Sequence, residues 1–177
     1  MESKLFHSHG DGTFTRSSFR YIGENVIFEE GVLVFNPENI ILGRNIYIGH
    51  RTILKGYYTS LMEIGQDTWI GQGCFIHSAG NVIIGKAVGI GPMVKILTSA
   101  HTDELPDIPI MHQPLSFQQV VIEDGADIGV GSVILPGVVI GKYSIIGAGS
   151  VVTQDVPSHS VFAGVPARLI RKRESKR

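Results

Sequence analysis

The sequence predicts an all-β chain, a solenoid of short parallel strands wound into triangular coils. Three observations carry this expectation. An aliphatic or aromatic residue returns every six positions over most of the span from Ile22 to Val152. A Gly directly follows ten of these residues. Every step longer than six falls at the same place in a cycle of three hexads. A period of six fits neither ordinary strand alternation nor the 3.6-residue helical turn. A repeat of fixed length marks one structural unit stacked on its neighbours.

Each hexad reads as a short strand and a turn, and three hexads close a triangle. The first coil starts its hexads at Ile22, Phe28 and Val34, the second at Leu42, Ile48 and Leu54, and the third at Ile64, Ile70 and Ile76. The fourth starts at Ile84, Ile90 and Ile96, the fifth at Ile122, Ile128 and Ile134, and the sixth at Ile140, Ile146 and Val152. These residues are expected to point inward as an aliphatic stack, with successive coils paired as parallel strands. The Gly that follows, as at Gly49, Gly71 and Gly91, suits a sharp turn with little room for a side chain.

The departures from the beat locate a specialised edge. The steps Val34 to Leu42, Leu54 to Ile64, Ile76 to Ile84 and Ile96 to Ile122 span 8, 10, 8 and 26 residues, and each follows a third hexad. All four insertions therefore leave one edge of the prism. Third hexads also never carry the Gly, having Phe35, Lys55, His77, Leu97, Leu135 and Thr153 in its place. The longest excursion, 101–120, begins at His101 and contains Pro106, Pro109 and Pro114, which shape it. A loop of this length in a compact domain is commonly functional. The expected organisation is a cap segment 1–21, a β-helix domain 22–157 carrying that loop, and a C-terminal tail 158–177.

Composition narrows the functional classes. The chain has 177 residues, 43% hydrophobic and 18% charged, which is not a disordered composition. No apolar run approaches the ~20 residues that span a bilayer, so membrane insertion is not expected. Residues 1–20 lack the layout of a secretory signal, and Cys74 is the only cysteine, which suits a reducing cytoplasm. The net charge of −1 is unevenly placed, because Arg168 to Arg177 hold six Lys/Arg and one acid. A basic end of this kind suits phosphates. The absence of interleaved aromatics argues against nucleic acid as its partner.

Repeats of this form resemble the hexapeptide-repeat acyltransferase superfamily, whose fold is a left-handed parallel β-helix. The likeness runs from Ile22 to Arg171. Within it, VGIGPMVKILTSAH followed by VVIEDGADIGVGSVILPGVVIGKYSIIGAGSVVTQDVPSHSVFAGVPARLIR is similar to the maltose and galactoside O-acetyltransferase branch, and IGAGSVVTQDVP with AGVPARLIR is the part most specific to acetyl-CoA users. The chain departs from that branch at Asp127 and near Gln154, where relatives often carry Trp and Lys. It also has a shorter cap ahead of the first coil.

The resemblance implies an enzyme that moves acetyl from acetyl-CoA to a hydroxyl of a sugar or glycan precursor. It places the general base at His101, a role an imidazole with a pKa near 6.5 suits at neutral pH. Ser99, Asp103 and Glu104 are the candidates to orient the ring. The resemblance implies that Val130, Ala148, Thr153 and Gln154 line the coenzyme groove, that Arg168 and Arg171 take its phosphates, and that the molecule is a homotrimer with sites between subunits. His77, on the specialised edge one coil earlier, is a candidate wall of the acceptor pocket. Cys74 is a candidate for the same wall or, at the small position of its hexad, a packed core thiol. No metal is expected. An N-acetyltransferase of an amino-sugar nucleotide is the alternative, since the same base and groove serve an amine. A γ-class carbonic anhydrase-like metalloprotein shares the scaffold, but would leave the arginine-bearing end without purpose. A non-catalytic scaffold would predict a damaged loop or groove, and both read as intact.

Overall fold

The computed structural model describes residues 7–174. Three parallel sheets form the walls of a prism. The first contains Tyr21–Ile22, Ile40–Leu42, Met62–Ile64, Val82–Ile84, Val120–Ile122 and Val139–Ile140, paired in that order. The second runs Val26–Phe28, Ile46–Ile48, Trp69–Ile70, Gly89–Ile90, Asp127–Ile128 and Ile145–Ile146. The third runs Leu33–Phe35, Ile53–Lys55, Phe75–His77, Lys95–Ile96, Val133–Ile134 and Val151–Val152. The registers are those of the hexads: Ile48 pairs with Ile70, Ile90 with Ile128, and Ile96 with Ile134.

Sixteen of the eighteen hexad starts are buried, so the start position does form the interior stack. The two exceptions, Ile22 and Phe28, are partly buried at the open end of the first coil. Phe14 and Phe19 close that end, with Phe14 4.8 Å and Phe19 5.6 Å from the Phe28 ring. Small residues four places after a start fill the corners, and their hydroxyls bind the turn carbonyls. Thr52 donates to the Gly71 carbonyl at 2.8 Å, and Ser144 to that of Gly141 at 2.6 Å. The Gly that follows a start is required by the spacing of the coils: a Cβ on Gly71 would lie 2.5 Å from the Pro92 nitrogen in the coil above.

Beyond the six complete coils the winding continues for part of a seventh. Val156 bridges Ile140 on the first sheet, and Ser160–Gly164 extends the second sheet by pairing with Ile145–Ile146. The chain then reverses, and Ala167–Lys172 pairs antiparallel with Ser160–Gly164. Between Ser160 and Lys172 the segment expected as a tail thus forms two strands of the second sheet, and Phe162 on the first is buried.

Candidate active site

The specialised edge follows the third sheet. Here the long excursion opens as a strand, Ser99–His101, that pairs antiparallel with Leu115–Phe117, placing His101 opposite Leu115. The base of this hairpin is fixed to the prism. Buried Thr98 donates its hydroxyl to the His77 carbonyl at 2.7 Å and accepts from the Gly80 N–H at 2.9 Å. The Gln118 N–H closes the other side on the Thr98 carbonyl at 2.9 Å.

His101 is half-buried, and its Nδ1 lies 3.2 Å from the main-chain oxygen of Gln113. A carbonyl only accepts, so Nδ1 carries the proton in this contact, and in the neutral ring Nε2 keeps its lone pair. Among the described residues the ring's hydrogen-bond partner is thus not Ser99, Asp103 or Glu104, but a backbone atom twelve residues along. Gln113 is buried, although residues on both sides of it are exposed. Nothing in the linear pattern marks it: one amide in a polar loop carries no periodicity. Beside it the loop borders an open hollow of about 510 Å³ lined in part by Asp103, Asp107 and Gln113.

His77 shares this edge. It packs edge-on to Tyr57, whose ring in turn faces Phe117 of the hairpin, with centroid separations of 6.1 Å and 6.2 Å. Burial pushes the His77 imidazole below its usual range, and the nearby charges of Lys55 and His9 push it in the same direction. The shift favours the neutral form of the ring, which lies between Tyr57 and Phe75. Cys74 is different. Its side chain is buried in the core, its thiol approaches the Gly91 carbonyl at 3.2 Å, and burial pushes its pKa up. The expectation that Cys74 lines an acceptor pocket is corrected: position four of the hexad faces inward.

The residues expected to hold coenzyme divide between two edges. Thr153 and Gln154 are exposed just after the last strand of the third sheet, on the His101 edge. Val130 and Ala148 are exposed in turns that enter the third sheet, on its opposite edge. There, Gly131 and Gly149 have positive φ and, among the described residues, nothing within 4 Å of where a Cβ would stand, which leaves a ledge of open backbone beside the Val130 and Ala148 side chains. Arg168 and Arg171 are exposed on the final antiparallel strand, and among the described residues neither guanidinium is in an ion pair. Backbone left open at these two glycines fits an extended amide-rich arm, and guanidinium groups outside any ion pair fit phosphate. One chain places His101, His77, Thr153 and Gln154 along the same edge, at different coils, but leaves Val130 and Ala148 across the face.

Comparisons with known proteins agree with this architecture. The family model "Bacterial transferase hexapeptide (six repeats)" matches residues 119–154. The galactoside O-acetyltransferase of Escherichia coli K12 is 33% identical over 94% of this chain and 72% of its own length. A dTDP-3-amino-3,6-dideoxy-α-D-galactopyranose 3-N-acetyltransferase of Aneurinibacillus thermoaerophilus is 48% identical over 32% of this chain and 29% of its own. A hexapeptide-repeat acetyltransferase of Vibrio cholerae, solved with acetyl coenzyme A, superposes with a TM-score of 0.68 at 26% identity, covering 90% of this chain and 74% of that one. The chain belongs to the hexapeptide-repeat acyltransferase family, and its fold is the left-handed parallel β-helix of that family. It spans 55% to 72% of the length of the first curated relatives it matches.

Proposed function

We propose that the protein is an acetyl-CoA-dependent O-acetyltransferase acting on a hydroxyl of a sugar or glycan precursor, with His101 as general base. The observation that carries this reading is the Gln113 carbonyl on His101 Nδ1, which leaves Nε2 free to take a proton. As Nε2 takes the hydroxyl proton, the oxygen attacks the thioester carbonyl carbon and a tetrahedral oxyanion forms. Its collapse breaks the C–S bond, and the proton passes from His101 to the departing sulfur of coenzyme A. His77, its neutral form favoured beside Tyr57 and Phe75, is a wall of the acceptor pocket.

For the donor, the ledge at Val130 and Ala148 takes the pantetheine arm, Thr153 and Gln154 flank it, and Arg168 and Arg171 take the phosphates. The ledge meets His101, Thr153 and Gln154 only if the two edges of the third sheet come from different copies. A homotrimer with a cleft at each of three equivalent contacts satisfies this, since a cyclic arrangement repeats one heterologous contact until it closes. The lone buried thiol of Cys74 suits a reducing cytoplasm.

O-transfer is favoured over N-transfer by the extent of similarity. The O-acetyltransferase of Escherichia coli matches nearly the whole chain, and the amino-sugar N-acetyltransferase matches only a third of it. The second reading remains chemically open, because a neutral amine gives up its proton to the same base. Thiol release from acetyl-CoA, followed with alkyl galactosides and with an amino-sugar nucleotide as acceptors, separates the two. His101→Ala is expected to lower turnover by about 10²–10⁴-fold, the usual contribution of a general base, while calorimetry shows acetyl-CoA still bound. Unchanged turnover in that variant refutes the assignment of the base.

A further inference from the structure

The long loop carries a buried amide that no turn or strand of the prism requires. Gln113 is 6% exposed in a segment where Pro109 to His112 and Pro114 to Leu115 are otherwise exposed. Its Nε2 donates to the carbonyls of Leu105 and, at 3.1 Å, Ile108, which both lie on the outgoing limb of the loop. Its own main-chain oxygen accepts from His101 Nδ1 at 3.2 Å. The next residue accepts from the Thr102 N–H, through the Pro114 carbonyl at 2.9 Å. One residue thus ties the outgoing limb to the returning limb with its side chain and fixes the imidazole with its backbone.

We propose that Gln113 is a positioning residue for the reaction, and that its side-chain amide holds the loop in the one conformation that presents Nδ1 of His101 with an acceptor. The proposal rests on His101 as the base. Both amide hydrogens find acceptors in these two carbonyls, while Oε1 is buried with no hydrogen-bond partner among the described residues, so it is the donors that tie the limbs together. Removing the side chain frees the carbonyls of Leu105 and Ile108 to water and lets the returning limb move. The imidazole then loses the contact that selects its tautomer, and a fraction of molecules carries the proton on Nε2, where it blocks the base. A displacement of this kind costs rate without costing affinity for the thioester, which binds along the ledge and not on the loop.

The test compares Gln113→Met, which keeps the volume and removes both donors, with wild type and with His101→Ala. Nitrogen NMR of histidine-labelled protein reads the tautomer of His101, and thiol release with an alkyl galactoside reads kcat and KM. In Gln113→Met the single His101 tautomer is expected to become a mixture. Its kcat should fall by about 10–100-fold, the scale of a misplacement near 1 Å, with KM for acetyl-CoA unchanged. The melting temperature should stay near that of wild type, because the loop adds nothing to the stacked core. A wild-type kcat together with an unchanged tautomer overturns the proposal while leaving the general-base reading intact. A mixed tautomer with wild-type kcat, or full turnover in His101→Ala, overturns the general-base reading itself.

Discussion

Two glycine substitutions, Gly129→Ala and Gly149→Ala, should separate the structural from the functional side of one edge. A Cβ on Gly129 would stand 2.5 Å from the Ala148 nitrogen and 2.6 Å from the Ile146 oxygen, both backbone atoms of the coil above. Ordinary contact begins at 3.4 Å, so the coils must part by about 0.9 Å, the difference of the two distances. The Gly129 N–H donates to that same Ile146 oxygen at 2.8 Å, and Ile128 stacks on Ile146 immediately beside it. Weakening two or three such bonds at about 1 kcal/mol each, with loosened packing of two buried isoleucines, brings the cost to about 3–5 kcal/mol. At about 2–4 °C per kcal/mol for a chain of this size, the melting temperature should fall by about 10 °C. Gly149 is different, because nothing lies within 4 Å of its Cβ position and only its φ of +68° penalises alanine, by about 1 kcal/mol. Gly149→Ala should therefore melt only about 2–4 °C lower. Its methyl group stands on the ledge assigned to the pantetheine arm, so KM for acetyl-CoA should rise. Thermal melts and steady-state kinetics on both variants decide the matter. Equal melting temperatures refute the coil-spacing account, and an unchanged KM in Gly149→Ala refutes the assignment of the ledge.

Three further outcomes are expected. His77 has its pKa held below the usual 6.5 by burial first and by Lys55 and His9 second, so the unfolded chain takes up this proton before the folded one does. Stability is then fully present above pH 6.5 and declines as pH falls through the lowered native value, and denaturant titrations of His77→Phe should lose this part of the slope. Arg168→Ala and Arg171→Ala should each raise KM for acetyl-CoA by about 10-fold, the scale of one solvent-accessible charged hydrogen bond, with kcat and melting temperature unchanged. A comparison with 3′-dephospho-acetyl-CoA identifies the phosphate each reads, and equal KM values for mutant and wild type refute both roles. Cys74 should stay unlabelled by a disulfide reagent in native buffer and react at once in denaturant, since burial both shields the thiol and disfavours its thiolate; rapid native labelling contradicts its place in the core.

The body of the prism was legible because a repeat makes each coil report on every other. Ile48, Ile70, Ile90, Ile128 and Ile146 occupy equivalent positions, and the burial of one implies the burial of all. Cys74 was legible as a core residue by the same reasoning, being four places past Ile70 as Ser132 is past Ile128, and both are buried. The ends were not legible. Phe14 and Phe19 cap the first coil from a segment without period, and past Pro157 the beat is lost, although Phe162 still packs on the stack. At the edge, the break in rhythm pointed to His101, since an insertion is visible as a gap. What holds His101 was not, because the Gln113 contact joins residues through a loop whose path depends on prolines and main-chain carbonyls. Periodicity records what faces inward, and a group held from the side leaves no trace in it.

A solenoid also has to end, and the way this one ends connects its stability to its chemistry. Each coil offers the next a row of unpaired N–H and C=O groups, so an uncapped last coil is a template for another molecule. The antiparallel return of Ala167–Lys172 covers part of that edge with a strand whose outward residues include Arg168, Arg171 and Lys172. Charge there opposes further strand addition and keeps the end soluble. The same guanidinium groups stand at the end of the molecule toward which the Gly131 and Gly149 ledge climbs, where the phosphates of a coenzyme laid along it would arrive. Replacing both arginines with neutral residues should therefore do two things, weaken coenzyme binding and promote end-to-end association. Light scattering at rising concentration, with and without acetyl-CoA, distinguishes an end that is merely charged from one that is charged for a ligand. If the double variant stays dispersed, the covering strand alone protects the edge, and the arginines belong to the coenzyme only.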